Sequence, residues 1–127
     1  MMSQDATHAA DALAAWREGL AAVDPAAAVG RALAVRPDLA GLADGDAVVA
    51  VGKAAAGMAR GFLDVRGRVA AGGRPKVLVL LPHGVDAAGL GERAVVLRGG
   101  HPWPTRESLE STQRSAQIES QYLQHRS

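Results

Sequence analysis

The sequence predicts an α/β fold: a partial Rossmann-like parallel or mixed sheet with flanking helices, preceded by a pair of N-terminal helices. Three observations predict it. Two short runs, AVVAV at 47–51 and KVLVLLP at 76–82, are apolar without polar alternation, the pattern of strands covered on both faces. Between them, Ala55, Met58, Phe62, Val65 and Val69 repeat at steps of three and four, which makes a helix from about Ala54 to Ala70. A strand–helix–strand order with a right-handed crossover gives parallel neighbours. Ahead of the first strand, two stretches carry apolar residues at helical spacing.

The first of these, Thr7–Val23, places Leu13, Trp16, Leu20 and Val23 on one side and Arg17 and Glu18 on the other, an amphipathic helix. Asp24-Pro25 ends it and starts the next, because Asp24 can cap and proline suits a first helical position. The second helix, Pro25 to about Val35, buries Val29 and Leu33 and exposes Arg31; Arg36-Pro37 closes it, since a residue before proline is pushed out of the helical region. LAGLADGD is a turn-rich connection to the first strand. In the helix that follows, Gly57 and Gly61 each cost roughly 1 kcal/mol relative to alanine, so they mark close packing on a sheet or a neighbouring helix. Gly72-Gly73-Arg74-Pro75 is its stop. After the second strand come the turn-forming HGVDAAGLG, a third short strand at Ala94–Leu97, a constrained loop from Arg98 to Pro104, and a polar tail, helical from Thr105.

A chain of 127 residues fits one core. Hydrophobic content of 48% and charged content of 21% are those of a globular domain. A net charge of +1 with no basic run argues against a nucleic-acid or anionic-membrane surface. There is no cysteine, which removes disulfides and thiolate metal sites. The N-terminus carries Asp5 and Asp11 without a basic start, and no segment reaches the ~18 apolar residues of a membrane span; the expectation is a cytoplasmic protein. Composition shifts near the end: from His101 onward there is no glycine and Ala116 is the only alanine. The shift sets a polar C-terminal segment apart from the α/β part of the chain.

The chemistry-bearing residues sit where strands end. Gly52-Lys53 follows the first strand and precedes a helix. The Walker spacing is absent, because Ala47 and Ala54 stand where a glycine and a Ser or Thr are needed, and the dinucleotide fingerprint lacks its second glycine. The position is still that of a ligand-binding strand end. There, Gly52, Lys53 and Ala54 bring an ammonium and helix-start N–H groups to one place, as an oxyanion or phosphate requires. A solvated lysine at a turn is the alternative that spacing leaves open. GGHPWP, Gly99–Pro104, is the second constellation: its glycines allow close approach or positive φ, its prolines stiffen the loop, and His101 can donate to a substrate oxygen or act as an acid–base. The alternative for His101 is a histidine bonded to a loop carbonyl beside a partly buried tryptophan. His83, leaving the second strand, raises the same question, and Lys53, His83 and His101 could meet in one crevice. The acidic residues are scattered, so no metal ligands are identifiable.

Taken in order, DPAAAVGRAL, VVAVGKAAAGMARGF and GGHPWPTRESL resemble the N-terminal portion of the ATP-dependent glycerate 2-kinases of the MOFRL-associated type, often labelled hydroxypyruvate reductases. The resemblance covers about Ala9–Ala116, and with the compositional shift it implies an incomplete N-terminal α/β lobe over 1–116 and a divergent polar tail over 117–127. It implies ATP-dependent phosphorylation of D-glycerate to 2-phosphoglycerate, with a divalent metal such as Mg, in a cleft between two α/β domains. It implies that Lys53, in the family's GKA segment, neutralises substrate or phosphate charge, and that Gly100, His101 and Pro102, in its GHP segment, lie beside that site. Trp103 stands at a position usually smaller, and Thr105 where an aspartate is common. The family's Gly-rich, Ser-containing phosphate loop does not occur in these 127 residues, so the expectation is an N-terminal fragment, inactive alone, with a second lobe or a homo-oligomer as further partner. A stand-alone, non-catalytic module binding a phosphorylated metabolite is the alternative, and a lobe that docks on a second polypeptide is a third.

Overall fold

The computed structural model describes residues 4–42, 46–68, 75–87 and 89–124. The expected stop at Gly72-Gly73-Arg74, part of the LAGLADGD connection and the last residues of the tail lie outside them. Among the described residues three strands form one parallel sheet in the order β1-β2-β3: β1 Ala47–Val51, β2 Lys76–Pro82 and β3 Val95–Gly99. Three helices precede the sheet, α1 Gln4–Ala22, α2 Pro25–Val35 and the single turn α3 Pro37–Ala40; α4 Ala55–Arg68 crosses from β1 to β2, and α5 Arg106–Gln124 follows β3. The predicted fold class is the one observed.

The core forms because β2 alternates its side chains between two faces. Val77, Val79 and Leu81 point to the layer of α2 and α4, where they meet Leu33, Ala55, Ala56, Ala59 and Phe62. Val48 and Ala50 of β1, and Val96 of β3, share that face by register. Asp24 caps α2 as expected: its Oδ2 accepts from Ala27 N at 2.8 Å, with Pro25 at the first helical position. The two helix glycines also have the expected cause. A Cβ on Gly61 would strike the backbone of Ala26, and one on Gly57 would sit 3.1 Å from the Pro25 ring, so α2 and α4 touch almost backbone to backbone. Arg66, buried near the end of α4, donates from Nη1 to Ala40 O at 3.2 Å and ties α3 to that layer.

The opposite face departs from expectation. Register places Val49, Val51, Leu78, Leu80 and Leu97 on it. Leu78 and Leu97 are buried, and α5 packs along β3, but Val49 and Val51 are 43% and 68% exposed. β1 is therefore covered on one face, not two, because α5 reaches only the β3 side. In α4 the buried stripe is Ala55, Ala56, Ala59, Phe62 and Arg66, while Met58 faces outward. α1 is a helix as predicted, yet it buries none of its residues.

β3 runs to Gly99, beyond the expected Leu97. Arg98 and Gly99 still pair with Leu81 and Pro82, and the Ser111 hydroxyl donates to Arg98 O. α5 continues without a break from Arg106 across Ala116 to Gln124.

Candidate functional site

In a parallel sheet every strand ends on the same edge, so the loops after β1, β2 and β3 are neighbours by construction. On that edge a crevice of about 240 Å³ opens between the sheet and α5. Val51, Gly52, Leu80 and Pro82 form its strand side, Gly100 and His101 its rim, and Ser108, Ser111 and Thr112 its helical wall, with Arg98 at the base.

Each contributor is held by local chemistry. Gly52 takes φ +105°, a conformation that disfavours any side chain, and this turns the chain out of the ladder while Gly52 N still donates to Leu80 O at 2.9 Å. Ala55 N donates to Gly52 O at 3.1 Å and starts α4. Gly99 and Gly100 do not use positive φ. A Cβ on Gly99 would lie 2.8 Å from Ser108 Oγ, and one on Gly100 would strike Thr105 and come 2.7 Å from Trp103 O. Their smallness lets the strand exit fold against the first turn of α5. Ser108 Oγ completes that turn by accepting from Gly100 N at 2.8 Å and from Thr105 N at 3.1 Å. Arg98 donates from Nη1 to the carbonyls of Pro82 and Val85, which fixes the start of the β2 exit loop.

Of the residues singled out in sequence, Gly52, Gly100 and His101 come together in the lining. Lys53 and Ala54 are exposed beside Gly52, outside the lining, and so is Pro102, joined to His101 by a cis peptide. His83 turns elsewhere: its Nε2 lies 2.6 Å from Glu107 Oε2 in the first turn of α5, half-exposed. Trp103 is 79% exposed rather than partly buried. Sequence reasoning missed Arg98, Ser108, Ser111 and Thr112. A signal existed, since Thr105, Ser108, Ser111, Thr112 and Ser115 recur at steps of three, three, one and three, the spacing of a hydroxyl stripe on one helix face.

The arrangement is a small crevice with one imidazole, one guanidinium and three hydroxyls and, among the described residues, no carboxylate in its lining; Lys53 follows the lining residue Gly52 in the chain and is exposed. Among the described residues no three His, Asp or Glu side chains are grouped as metal ligands. No helix of the described residues is long and apolar enough to cross a membrane.

Fold and crevice together define a parallel α/β lobe with a ligand-sized opening at its strand ends. Residues 11–125 match the family described as a domain of unknown function, DUF4147, and the chain belongs to that family. No curated protein and no solved structure matches it.

Proposed function

We propose that this chain is the substrate-binding lobe of a glycerate 2-kinase, the enzyme that transfers a phosphoryl group from ATP to D-glycerate and yields 2-phosphoglycerate. The observation that carries the reading is the crevice shared by Gly52 and the Gly100-His101 rim, with Lys53 next to Gly52 in the chain. Both segments are the ones that resemble that family, and they come from strands that are not adjacent in the sheet.

The chemistry fits the need. Phosphoryl transfer rests on positioning and on neutralising oxygen charge. Lys53, exposed and next to Gly52 in the chain, supplies a cation, while the His101 ring and the hydroxyl wall offer hydrogen bonds to a carboxylate or hydroxyl. At 240 Å³ the crevice is smaller than the roughly 300–1,000 Å³ of drug-sized ligand sites, which suits a three-carbon acid and not a nucleotide. Among the described residues no group of three His, Asp or Glu side chains is placed to hold a divalent ion.

A second reading, a non-catalytic module for a phosphorylated metabolite, is favoured by one observation: no carboxylate lines the crevice to take a proton from a substrate hydroxyl. Calorimetry separates the two. A glycerate kinase lobe binds D-glycerate and 2-phosphoglycerate and loses both with Lys53→Ala; a metabolite module binds phosphorylated compounds and ignores glycerate. Binding of neither compound removes both readings.

A further inference from the structure

We propose that α1 is a self-association element, and that it pairs antiparallel with α1 of a second copy of this chain. Across α1 and the residue that follows it, Ala6, Ala9, Leu13, Trp16, Leu20 and Val23 are separated by three, four, three, four and three residues. That is the a/d seam of a coiled coil, narrower than the stripe a helix presents to a globular core. The seam is bare. Leu13, Trp16, Leu20 and Val23 are 44%, 61%, 50% and 68% exposed, α1 buries none of its residues, and its contact with another element is at its C-terminal end, where Arg31 of α2 donates to Ala22 O at 3.1 Å. A lone helix of 19 residues is marginal in water, so large apolar side chains held in solvent work against the helix that carries them.

The seam complements itself in one orientation. Run antiparallel, the a and d residues of two copies meet as Ala6 with Val23, Ala9 with Leu20 and Leu13 with Trp16, then the same layers in reverse. Each outer layer sets a small residue against a large one. A parallel pair would stack Trp16 on Trp16 and leave gaps at both alanine layers, which costs packing. The positions flanking the seam are Asp5, Ala10, Ala12, Arg17 and Gly19. In the antiparallel register Ala12 faces Gly19 and Ala10 faces Arg17, so no like charges oppose each other and small residues let the backbones approach. Six layers along about 28 Å of helix bury on the order of 1,000 Å², the lower bound for a specific interface. The dimer is accordingly a moderate one.

The test uses the whole chain. Sedimentation equilibrium over roughly 1–1,000 µM, the span of moderate to weak affinities, is expected to show a mass rising from 13.0 kDa toward twice that value. The double substitution Leu13→Asp with Trp16→Asp is expected to hold the mass at one copy. Both side chains lie outside the core, and the sheet's cooperative unfolding checks that the fold persists. Orientation is read independently in this cysteine-free chain: under mild oxidation a mixture of Ala9→Cys and Leu20→Cys chains cross-links between the two species, whereas Ala9→Cys alone does not. A chain that remains at one copy's mass overturns the proposal. So does a dimer that survives the double substitution, which would put the contact on another face, such as Val49 and Val51 of β1. Self-cross-linking of Ala9→Cys in preference to the mixture overturns the antiparallel register.

Discussion

Gly61 of α4 lies against the backbone of Ala26 in α2, so close that a Cβ at residue 61 would overlap the Ala26 carbonyl. Gly61→Ala, which in an open helix gains up to about 1 kcal/mol, is therefore expected to lose about 1–3 kcal/mol through overpacking. Gly67, on the same helix with nothing within 4 Å of its Cβ position, is the control. Gly67→Ala is expected to gain about 0.5–1 kcal/mol. Urea unfolding of the two variants gives opposite signs; equal signs would mean that α2 and α4 do not meet at Gly61.

Ser108 holds the strand exit to α5 by accepting from two backbone amides, Gly100 and Thr105. Ser108→Ala leaves the part-buried Gly100 N–H without an acceptor and removes a helix-start bond, an expected cost of about 1–2 kcal/mol. Amide exchange supplies the local readout: Gly100 and Thr105 should speed up more than amides in the middle of β2.

Lys53 stands at the start of α4, the end of a helix dipole that disfavours a cation. Removing it should leave stability unchanged or raise it by a few tenths of a kcal/mol. Lys53→Ala is thus expected to unfold no earlier than the native chain on heating while losing ligand in calorimetry. A variant that unfolds early would give Lys53 a structural role instead.

The His83–Glu107 pair joins the β2 exit to α5 across half-exposed side chains. Pairs of that exposure contribute about 0.5 kcal/mol or less, so Glu107→Gln should shift the urea midpoint only slightly. A large loss would mean that the pair is shielded from water.

Arg36 donates two hydrogen bonds to Asp38, at 2.9 and 2.7 Å, and these, ahead of the attraction of the guanidinium's charge, hold the Asp38 carboxyl below its ordinary 3.8. A carboxyl depressed in the folded state contributes stability that is fully present above the unfolded value and is lost as pH falls through the depressed one. With both side chains 60% exposed, the effect is confined to acid. An NMR titration should find the Asp38 midpoint below 3.8 and see it return upward in Arg36→Gln.

What was legible in the sequence follows from which interactions are local. β1, β2, α2 and α4 were readable because unbroken apolar runs and steps of three and four are written in consecutive residues. The extension of β3 through Arg98 and Gly99 was not, since it depends on Pro82 and on the Ser111 hydroxyl, which lies 13 residues from Arg98. His83 was visible as a strand-end histidine, but its partner Glu107 lies 24 residues away. Gly52 and the Gly100-His101 pair could be placed on one edge because parallel strands leave no other choice. The Arg98 base and the hydroxyl wall needed the position of α5. The bare face of β1 was misread because a continuous apolar run records only that a side chain is apolar, and not whether anything lies over it.

Ala40, Ala55, Ala56 and Ala59 make up much of the buried core, beside a glycine contact between two helices. Alanine has no rotamer freedom to lose on folding, so this part of the core orders its backbone and little else. It also has no rotamer to turn when something larger arrives. A bulkier residue between α2 and α4 cannot be absorbed by a neighbouring side chain swinging aside; it must push a helix. Strain entering at that contact therefore travels as rigid displacement of α4, and the first thing α4 carries is Gly52 and Lys53.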